Sequence, residues 1–233
     1  MAQDEFEGFV MQKAKMLPVI LLLDVSGSMS YDGKIEELNN SVREMIQSFT
    51  QEQVIQSEIY VSIITFGSEV HLHTDLTRAK DVNYVDLVAD GCTCMGKAFD
   101  MAYEMIEDRS RVPKNAYRPV VVLVSDGEPY DPNDANRIEF KKQLAKFTTE
   151  GRSSKCDRWS LAIGADADID MMKQFLDHSE KKVYYVEDAA DICKFFRFIS
   201  SCTIQRSQSK DPNKVAEDLF TTDIQDIDFD GVR

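Results

Sequence analysis

The chain has 233 residues, with 27 Lys and Arg against 41 Asp and Glu, a formal net charge of −14. That excess of acid argues against a surface built for nucleic acid or anionic lipid, which needs basic patches. The length suits one α/β domain with a substantial core, and five cysteines without a Cys-x-x-Cys pair read as reduced thiols.

In chain order, the N-terminus Met-Ala-Gln-Asp-Glu-Phe-Glu carries no basic leader, and no apolar run reaches a membrane span. A cytoplasmic location is therefore expected. Residues 1–16 are polar and mixed and read as an N-terminal arm. Pro18 opens the first strand, Val19 to Leu23, an unbroken apolar run that stops at Asp24. Such a run suits a strand buried on both faces of a parallel sheet, and ligands gather at the carboxyl ends of such strands. Asp24, Ser26 and Ser28 follow at alternate positions, with Gly27 allowing a sharp bend. One carboxylate and two hydroxyls are hard oxygen donors of the kind Mg²⁺ takes, with waters or a partner's oxygen completing its shell.

Past Gly33, Ile35, Leu38, Val42, Met45, Ile46 and Phe49 recur at helical spacing. Ile59 to Phe66 reads as a strand, and Val70 to Leu76 as its antiparallel edge partner across the Gly67-Ser68 turn. His71 and His73 would share a face of that edge strand, either as a metal pair or, more commonly, as solvated polar positions. Ala89 to Gly96 is a turn entering a helix marked by Met95, Ala98, Phe99, Ala102, Met105 and Ile106, with Thr93 at its mouth. Val120 to Val124 repeats the first theme: a buried strand, then Ser125-Asp126-Gly127, delivering a second carboxylate to the same sheet edge.

A helix is expected from about Asp134 to Glu150, closed by Gly151. Trp159–Ile163 and Val183–Val186 read as strands, Ile169–His178 as a short helix between them. A closing helix carries Ile192, Phe195, Phe196 and Ile199. The expected fold is α/β and doubly wound: a mostly parallel central sheet with one antiparallel edge strand and helices on both faces. The domain spans 17–204. Residues 205–233 read as an acidic tail in which Ser207, Ser209, Thr221 and Thr222 are candidate phosphate acceptors.

Asp24-x-Ser26-x-Ser28, Thr93 in a Gly-x-Thr-x-x-Gly loop and Asp126 in Ser-Asp-Gly together resemble the von Willebrand factor A (VWA) domain family, a Rossmann-like fold, over roughly residues 16 to 203. In that family these five positions form a metal-ion-dependent adhesion site (MIDAS). The resemblance implies that Asp24, Ser26, Ser28, Thr93 and Asp126 are metal ligands, with Mg²⁺ as the ion and Mn²⁺ or Ca²⁺ as alternatives. It also implies that Asp126 acts through water when an outside acid is bound. The ion would then seek an anionic ligand, which a partner protein's Asp or Glu would supply.

The single-domain form and the Ser-Asp-Gly-Glu-Pro segment resemble the bacterial TerY-type members. That likeness implies tellurium (tellurite) resistance and stress response, beside a protein kinase and a PP2C-type phosphatase. One departure is Cys92-Thr93-Cys94 where relatives often have Gly-Gly-Thr and a small residue. The two thiols are either small fillers of a tight loop or a redox or soft-metal pair.

The competing readings are a Mg-dependent phosphohydrolase and a metal-independent scaffold. An aspartyl-phosphate enzyme needs a carboxylate two residues after its nucleophile, where this chain has Ser26, and a lysine in the third loop. No Walker or dinucleotide Gly-rich loop is present, and no His or Cys is placed as a base. The expectation is therefore a non-enzyme, with Ser125, Glu128 and Tyr130 as optional rim residues.

Overall fold

The centre of the fold is β1, Lys15–Asp24, whose side chains from Leu17 to Asp24 are all buried. The structure is a computed structural model that describes residues 14–51, 57–176, 182–213 and 231–232. Most of the expected N-terminal arm lies outside these residues. In chain order follow α1 (Lys34–Gln51), β2 (Ser57–Phe66), β3 (Val70–Arg78), α2 (Met95–Glu107) and β4 (Val120–Ser125). Then come α3 (Ile138–Thr149), β5 (Asp157–Ile163), α4 (Ile169–Leu176), β6 (Tyr184–Val186), α5 (Ile192–Gln208) and β7 (Gly231–Val232).

The strands form one sheet in the order β3-β2-β1-β4-β5-β6-β7. β2, β1, β4, β5 and β6 run parallel, and β3 is antiparallel to β2, as expected of the edge. A second, very short antiparallel partner, β7, pairs with β6 at the other edge. The sequence reading had placed Gly231 and Val232 in the tail, because two residues carry no periodicity to read.

Alternation along β1 divides the core. Leu17, Val19, Leu21 and Leu23 pack with α1 and α5, while Ile20 and Leu22 pack with α2, α3 and α4. Both faces are covered, which is why the strand reads as continuous apolar residues rather than as alternation. On the second face Phe99 lies 5.6 Å from Phe175 and 5.7 Å from Phe147, ring centre to ring centre, tying three helices together. Strand β1 begins before Pro18, not after it. Pro18 is tolerated because β4 joins β1 only from Val19 onward, so the missing N–H lies outside that ladder.

Two helix boundaries differ from the expected ones. α3 starts at Ile138 rather than Asp134, because the Asp134 carboxylate accepts the N–H of Ile138 and of Phe140, each at 2.8 Å. Arg137 meanwhile stands at φ 55°, outside helical space. α5 runs on to Gln208 because its last turn is anchored rather than free. Arg206 and Ser207 are buried, Ser57 Oγ donates to the Ser207 carbonyl at 2.6 Å, and Arg206 Nη2 donates to the Arg118 carbonyl at 2.6 Å. Ser207 is thus inside the domain and not on a free tail. Asn213 Oδ1 accepts the Arg118 N–H at 2.8 Å, so the packed region reaches at least that far. Thr221 and Thr222 lie outside the described residues. No helix among the described residues is long and apolar enough to cross a membrane.

Candidate metal centre

In an open α/β sheet the chain leaves neighbouring strands toward opposite faces at one point, and a crevice opens there. Here that point lies between β1 and β4. α1 follows β1 on one face, and α2 precedes β4 on the other. Leu23 pairs with Val124, so β1 and β4 end side by side on Asp24 and Ser125, and Asp126 follows one residue on. β1 ends on Asp24, and the loop from β1 to α1 supplies Ser26 and Ser28. Loop β4–α3 supplies Asp126, and the segment entering α2 supplies Thr93.

Hydrogen bonds join four of the five expected ligands. Asp24 Oδ1 accepts the Ser26 N–H at 2.8 Å, the Ser26 and Ser28 hydroxyls are 3.0 Å apart, and Ser28 Oγ donates to Asp126 Oδ1 at 2.7 Å. Asp24, Ser26 and Asp126 are buried, whereas Ser28 faces solvent at the rim. Thr93 is brought in by its backbone. Its N–H and C=O pair with Tyr130 at 3.1 and 3.0 Å, and Gly27 N–H reaches the Gly91 carbonyl at 2.9 Å. Among the described residues, no hydrogen bond joins the Thr93 hydroxyl to the other four, which leaves that oxygen free to coordinate.

The loop carrying Thr93 depends on glycine at one position. Gly91 has φ 84°, and a Cβ there would sit 2.1 Å from Ser68 Oγ and 2.9 Å from the Ser68 nitrogen. Ser68 Oγ accepts the Cys92 N–H at 3.1 Å, and the Cys94 N–H donates to the Gly67 carbonyl at 3.0 Å. The Cys94 thiol is buried and donates to the Ser68 carbonyl at 3.3 Å. Burial, and then the Asp131 carboxylate, raise its pKa, the opposite of what a reactive thiolate needs. Both cysteines are free thiols. Cys94 therefore fits the loop-filling reading.

Two residues of the site escaped the sequence reading. Ser125 was an optional rim residue there; in the structure its hydroxyl is fully buried and donates to Asp24 Oδ2. Lys34 stands outside the expected ligand set. Its ammonium lies 2.7 Å from Asp126 Oδ2 and its side chain is only 17% exposed. A signal was available: lysine opens α1, where the helix dipole disfavours a cation, and the acids Glu36 and Glu37 follow it. Glu128 pairs with Arg137 instead of entering the site, and Tyr130 contributes backbone only. His71 and His73 do not form a metal pair. His73 Nε2 is hydrogen-bonded to the Val85 carbonyl at 2.9 Å and His71 stands exposed beside Glu69.

The charge distribution is uneven. Asp126 has the Lys34 ammonium, whereas Asp24, fully buried, is met among the described residues by Ser26 and by the Ser125 hydroxyl, with no cation paired to it. Burial pushes Asp24 up to about 6, against the downward pull of its Ser125 and Ser26 hydrogen bonds, with the nearby Asp126 charge adding a little. A buried carboxylate without a cation of its own is what a divalent ion would satisfy. Among the described residues no three His, Cys, Asp or Glu gather to hold a metal. The donor set instead rests on two carboxylates and the hydroxyls of Ser26, Ser28 and Thr93. These are hard oxygens that fit Mg²⁺, a cation that keeps part of its water shell.

Residues 19–128, just under half of the chain, match the family model for the von Willebrand factor type A domain and include all five candidate ligands. The chain is also similar to solved structures. A von Willebrand factor type A protein from Catenulispora acidiphila has a TM-score of 0.56 at 19% identity, covering 82% of this chain and 43% of that one. The ArnB paralog VWA2 from Sulfolobus acidocaldarius has a TM-score of 0.55 at 17% identity, covering 84% and 46%. Proximal thread matrix protein 1 from the mussel byssus, whose MIDAS motif is occupied by zinc, has a TM-score of 0.60 at 15% identity, covering 80% and 48%. The chain thus spans less than half the length of these three proteins, and the likeness is one of fold. No curated protein sequence matches it. The matched segment, the sheet order and the likeness to these structures together show that the fold is of the von Willebrand factor type A kind.

Proposed function

We propose that this protein is a metal-dependent interaction module that captures an acidic side chain of a partner protein. The observation that carries the reading is the buried, cation-free carboxylate of Asp24, set among hydroxyls at the switch point of the sheet. Asp24, Ser26, Ser28, Thr93 and Asp126 would hold the ion, which would act as a Lewis acid toward a carboxylate arriving from outside. α2 begins two residues past Thr93, so its positive end adds a favourable field for that anion. The surroundings suit a protein partner: Tyr31 and Tyr130, on the first and third loops, are 68% and 55% exposed.

Mg²⁺ is the proposed ion, with Mn²⁺ or Ca²⁺ as alternatives. The TerY-type likeness extends the proposal to a bacterial stress-response or tellurite-resistance setting in the cytoplasm, with a protein kinase and a PP2C-type phosphatase as partners. The protein is proposed to work without catalysis. Position 26 is a hydroxyl where an aspartyl-phosphate enzyme needs its acid, and the lysine of the site comes from α1 onto Asp126, not onto Asp24.

The test is Mg²⁺ binding by calorimetry, followed by partner binding with Mg²⁺ and with chelator, for wild type, Asp24→Ala and Thr93→Ala. Asp24→Ala should lose both. Thr93→Ala should keep weak metal binding and lose partner affinity. Equal partner binding by the wild type in chelator would reduce the protein to a metal-independent scaffold. Phosphate-ester turnover with Mg²⁺, lost in Asp24→Asn, would make it a phosphohydrolase instead.

A further inference from the structure

We propose that Lys34 sets the charge of the loaded centre at +1 and thereby strengthens its attraction for an outside carboxylate; this rests on the metal-binding reading above. The two carboxylates, Asp24 and Asp126, carry −2 between them. Taken alone, they balance a divalent ion, and an outside anion would meet a centre of no net charge. Lys34 changes the sum. Its Nζ lies 2.7 Å from Asp126 Oδ2, in a partly buried position where screening by water is reduced. With the ion present, the charges are −1, −1, +1 and +2, which total +1. One carboxylate from a partner brings the centre to zero.

The geometry gives Lys34 a second effect on the same residue. Asp126 Oδ1 accepts the Ser28 hydroxyl and Oδ2 the Lys34 ammonium, so each oxygen already holds one partner. Lys34 would therefore compete with the ion for Asp126 and favour its acting through water. Asp24 is left as the one carboxylate free of a cation. Both effects weaken the hold on the metal and strengthen its demand for an outside acid. Lys34 is in this sense a specificity-determining residue: it trades metal affinity for carboxylate affinity.

The site makes the trade separable. Lys34 is the first residue of α1, its side chain is partly exposed, and among the described residues its ammonium is hydrogen-bonded to Asp126 alone, so replacing it should leave the core intact. Lys34→Met keeps the length of the stem and removes the charge; Lys34→Arg keeps the charge.

The experiment measures two affinities for wild type, Lys34→Met and Lys34→Arg. Mg²⁺ alone is titrated by calorimetry. Sodium acetate is then titrated into the Mg²⁺-saturated proteins at constant ionic strength, with the amide signals of Ser26, Ser28 and Thr93 followed by NMR. Lys34→Met should bind Mg²⁺ about tenfold more tightly, since a repelling cation has left a partly buried site. It should bind acetate about tenfold more weakly, since the loaded centre is already neutral. Lys34→Arg should resemble the wild type in both. A structural role for Lys34 would lower both affinities together or change neither, and either result overturns the proposal, as does tighter metal binding with acetate affinity unchanged. A wild type that binds neither Mg²⁺ nor Mn²⁺ would overturn the metal reading itself and this inference with it. That failure is visible before any variant is compared.

Discussion

Asp24→Asn should stabilise the metal-free protein, although it removes a residue at the heart of the site. The carboxylate is fully buried, has no cation paired to it among the described residues, and is pushed from an ordinary 3.8 to about 6. The folded state therefore binds the Asp24 proton more tightly than the unfolded state does. Stability from this group is greatest below about pH 4, falls as the pH rises from about 4 to 6, and is flat above that. The difference between 3.8 and about 6 corresponds to about 3 kcal/mol of strain at pH 8, by the rule that one pKa unit is worth about 1.4 kcal/mol.

The replacement amide is nearly isosteric. Its oxygen can accept the Ser26 N–H, and its NH₂ can donate to Ser125 Oγ, whose own proton then turns to the Gly127 carbonyl 3.4 Å away. Because that last contact is long, the expected gain is about 1–3 kcal/mol, or roughly 2–10 °C in melting temperature for a domain of this size. The assay is thermal unfolding of wild type and Asp24→Asn in chelator at pH 5 and pH 8, repeated with Mg²⁺. In chelator the variant should melt higher at pH 8, with the difference shrinking at pH 5. In Mg²⁺ only the wild type should gain stability. If the variant melts lower than the wild type at pH 8 in chelator, Asp24 is a structural residue and the charge reasoning fails.

Ser125→Ala deletes a donor to Asp24, so the metal-free protein should lose about 1–3 kcal/mol. Because that hydrogen bond pulls the Asp24 pKa down, the onset of Mg²⁺ binding should also move to higher pH; an unchanged pH profile by calorimetry would refute this role. Gly91→Ala forces a side chain onto Ser68 at φ 84° and should cost about 1–3 kcal/mol in urea unfolding. It should displace Thr93 and weaken acetate binding more than Mg²⁺ binding, whereas a neutral outcome would mean that the loop yields. In a timed alkylation read by mass spectrometry, Cys92 should react in the native protein and Cys94 only on unfolding. Equal rates would contradict the buried thiol at Ser68.

Much of the sheet, and the placing of the candidate ligands at its strand ends, was legible because its signals are local. The run Val19–Leu23 ending on Asp24 and the run Val120–Val124 ending on Ser125-Asp126 are each complete within a few residues. Burial on both faces leaves few side-chain types that fit. The alternate oxygens of Asp24, Ser26 and Ser28 could be read in the same way. Thr93 was harder, since it enters the site through backbone pairing with Tyr130, and its neighbours Cys92 and Cys94 depart from the common loop.

Composition and periodicity by themselves determined that this chain folds as α/β, where its buried parallel strands lie and which side chains stand at their ends. Only the tertiary structure decided how those ends are charged. Lys34 meets Asp126 across 92 positions and Ser125 meets Asp24 across 101, and no local pattern encodes either contact. Ser207 likewise read as tail until α5 was seen to carry it beneath Ser57, 150 positions away. A strand or helix reveals itself through the repeated hydrophobicity of near neighbours. A single polar contact between distant segments leaves no such repeat, and its consequences for charge and burial follow only once the chain has folded.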